Sequence, residues 1–227
     1  MPNFNEAPNG ENASYIGAPT YSFQTLGGSS VLNMNTSMND QQRSGWLTSA
    51  VFNAPGGFIY ETRFNTLTIS KTTSIDAFIE LSIFNSANHG LYDIASPFAG
   101  SYGDHPSFAA GSSIDGSYNS QSFTFLNNTW YNLLIEALPG QDMQVLLEND
   151  GGTILASQTL NHTASVYSSG FQLGLSQALG NPLGTYNTDV DVDYVKLIAV
   201  PEPSSIALTV IGLAMLFVVA SKRQLVA

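Results

Sequence analysis

Cysteine is absent from the 227 residues, which excludes a disulfide framework, a thiolate metal site and a cysteine nucleophile. Charged residues are also scarce, at 10%, against roughly one quarter of an average globular chain. Lys and Arg number 6 and Asp and Glu number 17, so the formal net charge is −11. Such a surface repels phosphate, and we therefore expect no nucleic-acid partner.

Helical periodicity is lacking over the first 200 residues. Apolar and polar residues instead alternate in short runs, the pattern of half-buried antiparallel strands. The clearest runs are 58–64, 76–84, 130–138, 142–149, 170–175 and 190–200. The NDGG segment at 149–152 predicts a tight hairpin in which Asp150 is a turn residue. Many strands with turn signals and no helices predict an all-β sandwich or barrel.

The run FTFLNNTWYNLLIEALPGQDMQVLLENDGGTILAS resembles the central strands of the concanavalin A-like lectin and glucanase superfamily. In that superfamily a Trp-Tyr strand start precedes a hairpin that ends in Asp-Gly-Gly. SSGFQLGLS resembles the next strand and VDVDYVKLIAV the closing strand. The resemblance covers about residues 51–199 and implies a two-sheet antiparallel jelly roll. We expect this sandwich to occupy residues 1–200.

The long apolar run at 206–220 differs from everything before it, and Lys222 and Arg223 follow it. As a helix it would span about 22 Å, short of the ~30 Å hydrocarbon core of a bilayer. We therefore predict one short, marginal membrane helix whose basic end stays cytoplasmic. Pro201 and Pro203 prevent this helix from starting further upstream.

The order Pro201-Glu202-Pro203, apolar run, Lys222-Arg223 resembles the PEP-CTERM sorting signal of bacterial exosortase substrates. The resemblance implies export and transient docking of segment 201–227 in the inner membrane. It also implies processing by an exosortase-type enzyme and delivery to the surface or extracellular matrix of a Gram-negative bacterium. A plain membrane anchor is the alternative. Because the start MPNFNEAPNGENASYIGAP has no signal peptide, we expect upstream coding sequence to supply one.

The segment 85–121 is rich in Gly, Ser and Asn and is interpreted as one long irregular loop. Long loops in compact domains are usually functional or disordered. Aromatic side chains can pack on the C–H faces of sugars, which makes this loop a candidate polysaccharide site. Its candidate residues are Tyr92, Tyr102, His105, Phe108 and Tyr118. The alternatives are that these aromatics fix the loop to the sandwich, or that the concave sheet binds the sugar.

A hydrolase would need two carboxylates about 5–9.5 Å apart. The Glu-x-Asp-x-x-Glu motif of the laminarinase branch is missing, and Asp76 and Glu80 would lie ~13 Å apart on one strand. Glu61, Glu80 and Glu136 could converge only from different strands. The sequence therefore predicts a non-enzymatic, polysaccharide-binding surface or matrix protein. A glycan hydrolase with a dispersed carboxylate pair and a purely structural domain are the alternatives.

The alternating Asp189, Asp191 and Asp193 are interpreted as the acidic, solvated face of an edge strand. In the superfamily, however, Asp193 matches a position that helps to hold a structural Ca²⁺, so a calcium ion there is the alternative. The three histidines, His89, His105 and His162, are expected to be solvated loop residues. The two tryptophans, Trp46 and Trp130, are expected to pack in or beside the core.

Overall fold

The computed structural model describes residues 20–26, 29–39, 43–48, 50–54, 56–69, 76–87, 91–98, 107–167, 169–179 and 185–200. These residues form thirteen strands and one short 3₁₀ helix, Ala164–Tyr167. The strands are β1 Thr20–Leu26, β2 Ser29–Asn39, β3 Arg43–Leu47, β4 Phe58–Ile69, β5 Asp76–Asn85, β6 Leu91–Phe98, β7 Ser107–Ser112, β8 Tyr118–Ser122, β9 Thr129–Ala137, β10 Asp142–Asn149, β11 Ile154–Thr163, β12 Phe171–Leu179 and β13 Thr185–Ala199.

The strands form two antiparallel sheets. The seven-stranded sheet has the order β1-β2-β13-β4-β9-β10-β11, and the six-stranded sheet has the order β3-β12-β5-β6-β7-β8. The prediction of an all-β, two-sheet antiparallel sandwich is confirmed. The interpretation of 85–121 as one irregular loop is wrong, because β6, β7 and most of β8 lie within it.

Alternation along each strand builds the core between the sheets. On β4, Phe58, Tyr60 and Phe64 are fully buried on one side of the strand, and the odd-numbered residues between them lie on the other side. The ring of Phe58 stacks on Phe171 of the other sheet, with centroids 4.7 Å apart. The Tyr60 hydroxyl donates to the carbonyl of Gly174 on β12 at 2.8 Å. Burial raises the pKa of Tyr60, so this cross-sheet bond keeps its proton.

The C-terminal helix is not among the described residues. None of the helical turns in the described ranges has the length or apolar character that a bilayer crossing requires. The sorting motif and the predicted helix at 206–220 lie outside those ranges, and both stay predictions.

Gly57 immediately precedes β4, at the edge of the sheet where β4 begins and β9 and β13 end. Its φ of +104° is rare for residues with a side chain, and an added Cβ would lie 2.2 Å from the carbonyl oxygen of Ala137. Its own carbonyl accepts a hydrogen bond from the Val200 backbone N–H at 2.9 Å. The position therefore requires glycine both for its backbone angle and for the space around it.

We expect Gly57→Ala to lower the free energy of unfolding by about 2–5 kcal/mol, because a positive φ and a steric overlap each cost about 1–3 kcal/mol. Gly152→Ala is the matched control, since Gly152 has a φ of +77° but no atom within 4 Å of the added Cβ. It should lose only about 1 kcal/mol. Denaturant unfolding measures both variants. Equal losses would contradict the steric part of the account.

Candidate functional site

The outward side of the seven-stranded sheet is polar and partly buried. Its side chains alternate with core residues on β4, β9, β10 and β13. We call this surface the polar face, and its residues are Glu61, Arg63, Asn65, Trp130, Asn132, Glu136, Glu148, Asp191, Asp193, Tyr194 and Lys196. Strand register brings these distant residues together: Arg63 lies opposite Asn132, and Asn132 lies opposite Glu148.

Arg63 is held in place from three sides. Its Nε donates to Asp150 and its Nη1 donates to Asp193, both at 2.7 Å. Its guanidinium carbon lies 4.1 Å from the centroid of the Trp130 ring, a cation–π contact. The hydrogen bond with Asp150 is the main cause that raises the pKa of Arg63 and lowers the pKa of Asp150. Asp150 is a turn residue, as predicted, and it also fixes Arg63.

The surroundings of Asp193 do not fit a calcium ion. Its Oδ2 atom already accepts from Arg63, which places positive charge where the cation would have to lie. Asp189 and Asp191 both accept from Asn33 Nδ2, at 2.7 and 2.9 Å. In the described part of the chain, no group of three or more His, Asp or Glu side chains could hold a metal ion. Calcium therefore stays a prediction that the described residues do not support.

The interpretation of Asp189, Asp191 and Asp193 as a solvated edge is wrong. Their strand, β13, lies between β2 and β4 in the interior of the seven-stranded sheet. Asp191 is only 1% exposed. Its charge is stabilised by the Asn33 amide rather than by open solvent.

Glu61 has partners for both of its oxygens. Lys196 Nζ lies 2.8 Å from Oε2, and the Tyr194 hydroxyl donates to Oε1. Lys196 also lies 4.7 Å from the centroid of the Tyr194 ring. Burial first, and then the hydrogen bond to Glu61, raises the pKa of Tyr194.

Glu136 and Glu148 have no ion pair or hydrogen bond with any described residue. Burial is the main cause that raises the pKa of Glu136, and the charge of Glu61 adds to it. The pKa of Glu148 is raised by burial and then by both Glu61 and Glu136. The polar face thus presents two half-buried carboxylates that pair with no cation in the described part of the chain.

Two amide oxygens on the polar face also lack partners. Asn65 and Asn132 are only 8% and 9% exposed, yet the Oδ1 atom of each has no hydrogen bond. The Nδ2 atom of Asn132 donates to the carbonyl of Asn149 at 3.3 Å, so its oxygen is the free end of the amide. Asn65 lies opposite Trp130 in the register of β4 and β9. A buried acceptor without a donor costs about 1–3 kcal/mol, so these atoms favour binding of a donor.

The described members of the predicted sugar-binding set lie on neighbouring strands but do not share one exposed surface. Phe108 is fully buried in the core on β7, so the prediction for this residue is wrong. The Tyr92 hydroxyl accepts from Asn85, and its ring packs edge-on against Tyr167 with centroids 5.9 Å apart. Tyr118 is 44% exposed on β8 and belongs to the six-stranded sheet, not to the polar face. Tyr102 and His105 lie outside the described residues.

The structure separates the three candidate catalytic carboxylates into two sets. Glu61 and Glu136 both belong to the polar face. Glu80 lies on β5 of the other sheet, is 2% exposed, and accepts hydrogen bonds from Ser82 and Ser176 at 3.0 and 3.3 Å. Glu80 therefore cannot act together with the other two. Trp130 lies on the outward side of its strand against Arg63, so its expected place in or beside the core is wrong, and the side chain of Trp46 is not described.

A second polar cluster links the two sheets from inside. His162 lies on β11 and is 8% exposed, so its expected position in a solvated loop is wrong. Its Nε2 atom lies 3.2 Å from Asp93 Oδ1 on β6, and its Nδ1 atom lies 3.4 Å from Asp115 Oδ2. The Tyr167 hydroxyl donates to the other oxygen of Asp93. His89 and His105 lie outside the described residues.

The charges of this cluster favour a protonated imidazole. Burial lowers the pKa of His162, but hydrogen bonds and charges from Asp93 and Asp115 outweigh burial and raise it overall. Hydrogen bonding by Ser117 is the main cause that lowers the pKa of Asp115 to about 2. The cluster therefore stabilises the sandwich through a buried ion pair that depends on pH.

Residues 28–193 match the family described as the SO2946-like, C-terminal domain. The chain belongs to this SO2946-like family. The match runs from just before β2 to Asp193 on β13 and so includes every residue of the polar face except Tyr194 and Lys196. No curated protein matches the sequence.

Solved structures are similar in fold. A lectin, UEA-II in complex with galactose, aligns with a TM-score of 0.55 at 13% identity over 80% of this chain and 91% of that chain. The carbohydrate recognition domain of Emp47p aligns with a TM-score of 0.54 at 10% identity over 79% of this chain and 86% of that chain. SO2946 from Shewanella oneidensis MR-1, a protein of unknown function, has a TM-score of 0.49 at 16% identity over 81% and 77%. The SO2946-like chain thus has the concanavalin A-like fold.

We expect His162→Gln to lose about 1–3 kcal/mol of stability at pH 6 and clearly less at pH 9. A raised folded-state pKa means that the protonated His162 contributes fully below its unfolded pKa of about 6.5, and that this contribution is lost as pH rises through the folded pKa. Thermal unfolding of both proteins from pH 5.5 to 9 measures the difference. A difference that is constant over this range would show that the imidazole acts only by packing.

Proposed function

We propose that this chain is an exported carbohydrate-binding domain and that polysaccharide binds to its polar face. The observation that carries the proposal is the pair of unpartnered amide oxygens of Asn65 and Asn132 next to Trp130. Buried acceptors without donors favour a ligand that supplies donors. Sugar hydroxyl groups supply many donors on one rigid ring.

The polar face combines the groups that sugar recognition uses. Trp130 is partly exposed, and an aromatic ring offers an apolar surface on which the C–H groups of a sugar can pack. Arg63 is fixed by two carboxylates and the indole ring, so its position is set before a ligand arrives. Groups held in place in this way lose little conformational entropy on binding.

The structural neighbours support the carbohydrate class. The names of the two lectin-type structures refer to galactose and to carbohydrate recognition. At 10–13% identity this likeness concerns the fold, so the location of the site rests on the residues of the polar face.

Glycoside hydrolysis is the second candidate, and Glu61 with Glu136 favours it. Glu136 lies opposite Ile59 and Glu61 opposite Leu134, so the two glutamates are diagonal neighbours about 7–8 Å apart at the backbone. Burial raises the pKa of Glu136 in the direction that a general acid needs, while Lys196 and Tyr194 hold Glu61. Release of reducing ends from a bound glucan, lost in Glu61→Gln, would identify an enzyme.

We also propose that segment 201–227 delivers the domain to the cell surface or matrix as a PEP-CTERM signal. The Pro-Glu-Pro motif, the apolar run and the basic pair support this route by their order. An exosortase-type enzyme would then be the processing partner, and the inner membrane a transient one.

We expect Trp130→Ala to weaken binding of an oligosaccharide about tenfold or more, because a stacked aromatic contributes about 0.5–1.5 kcal/mol beyond its buried area. Tyr118→Ala is the control, since it removes an exposed aromatic from the other sheet. Titration calorimetry with a panel of soluble glycans measures both variants. Loss of binding in the Tyr118 variant alone would move the site to the six-stranded sheet. Binding of no glycan by the unchanged protein would overturn the proposed function.

We expect the protein recovered from the surface of its native host to end near Pro201–Pro203. Mass spectrometry of the intact protein, from membrane, surface and medium fractions, measures this end. A full-length product confined to the membrane would contradict processing and identify a plain anchor.

A further inference from the structure

We infer that the polysaccharide carries free, protonated amino groups, that is, that it contains amino sugars without N-acetyl groups. This inference rests on the proposed function and assigns the chemical class of its ligand. Among the described residues, Glu136 and Glu148 are the carboxylates of the polar face that have no cation or donor. Each of these two carboxylates requires a positive charge and a hydrogen-bond donor.

None of the described residues next to Glu136 donates a hydrogen bond to it. Gln144 lies opposite Glu136, but its Nε2 atom donates to the Asp142 carbonyl and its Oε1 atom accepts from Thr159. The next residue across the sheet, Ile59, is apolar. No described residue neutralises the Glu136 carboxylate, which is therefore left for a ligand.

None of the described residues next to Glu148 donates a hydrogen bond to it either. Asn132 lies opposite Glu148 and donates from Nδ2 to the Asn149 carbonyl, and its Oδ1 atom has no partner. An ammonium group supplies a positive charge and three donors, whereas a hydroxyl group supplies one donor and no charge. One free amino group can therefore donate to a carboxylate and to an amide oxygen and also neutralise the carboxylate, whereas hydroxyl groups can donate but leave the negative charge unbalanced.

The apolar surroundings strengthen this preference. Leu134 and Leu146 lie opposite each other on β9 and β10, between the residue pairs that contain Glu136 and Glu148. They are only 7% and 9% exposed. Ion pairs next to buried apolar surface are less screened by water than ion pairs in open solvent. The raised pKa values of Glu136 and Glu148 agree with an environment that disfavours unpaired negative charge.

The spacing of the two carboxylates favours a polymer over a single ion. Glu136 pairs with Gln144, and Glu148 lies four residues further along β10. Four residues of a strand span ~13 Å, so one cation cannot bind both carboxylates directly. A chain with several amino groups can place one at each carboxylate.

The test compares two glycans that share a backbone, a glucosamine oligomer and the same oligomer with every amine acetylated. Titration calorimetry of the full-length protein at low salt is expected to show about tenfold or tighter binding of the free amine, because hydrogen bonds between charged groups are stronger than those between neutral groups. Glu136→Gln and Glu148→Gln should each reduce this preference about tenfold, and the double variant should abolish it. Removal of an unpaired, half-buried charge is expected to leave folding intact, which a melting curve verifies.

Asp142→Asn is the control, because it removes the same charge from an exposed residue of the same strand. It should leave the preference unchanged. Equal affinity for the two oligomers would overturn the inference while the proposed function stands. Binding of neither oligomer, nor of any other glycan, would overturn the proposed function itself. Equally tight binding of an oligolysine of the same charge would show that the face selects charge and not sugar, and would also overturn the inference.

Discussion

The alternation of β4 is the constraint on which the rest of the molecule depends. Phe58, Tyr60 and Phe64 are fully buried between the sheets, and Phe58 stacks directly on Phe171 of the opposite sheet. Because successive strand residues point to opposite sides, burial of these rings forces Glu61, Arg63 and Asn65 outward. A slip of one residue would place charged groups in the core and rings outside. The same contacts that hold the sheets together therefore build the polar face.

Only some of the charged groups on the polar face are paired with an opposite charge. Arg63 and Lys196 are its two cations, and both are already bound by carboxylates within the protein. Glu136 and Glu148 are left over, beside amide oxygens that also lack donors. These groups form no ion pairs or hydrogen bonds within the folded protein. A ligand with positive charge and several donors can therefore form those interactions with them. The His162 cluster differs, since His162 lies within 3.4 Å of both Asp93 and Asp115 and these ion pairs link the two sheets.

Much of the fold can be predicted from the sequence. The features that the sequence does not predict have physical causes. Strands β4, β5, β9, β10, β12 and β13 have clear apolar alternation and match the predicted runs. The sequence does not predict β7, because its centre, AAG, has small side chains of low strand propensity. In the structure Ala109 and Ala110 are nevertheless fully buried. His162 shares the inward period of Ala156 and Leu160, and that period was the signal for its burial.

The site was harder to predict than the fold. The outward residues of β4 and β9 can each be predicted from alternation. Their pairing, however, joins segments about 70 residues apart, and the register of that pairing cannot be predicted from either segment alone. The aromatics of 85–121 are candidates because the segment has the Gly, Ser and Asn content of a loop, whereas Phe108 is in the core and Tyr92 packs against Tyr167.

The most direct test of the central claim is to locate a bound oligosaccharide by NMR. The side-chain amides of Asn65 and Asn132 and the indole N–H of Trp130 give resolved probes on the polar face. The account predicts that these signals shift on titration with a glycan that binds, while probes on the six-stranded sheet, such as the side-chain amide of Asn119, do not. Shifts confined to the six-stranded sheet, with the Trp130 indole signal unchanged, would contradict it.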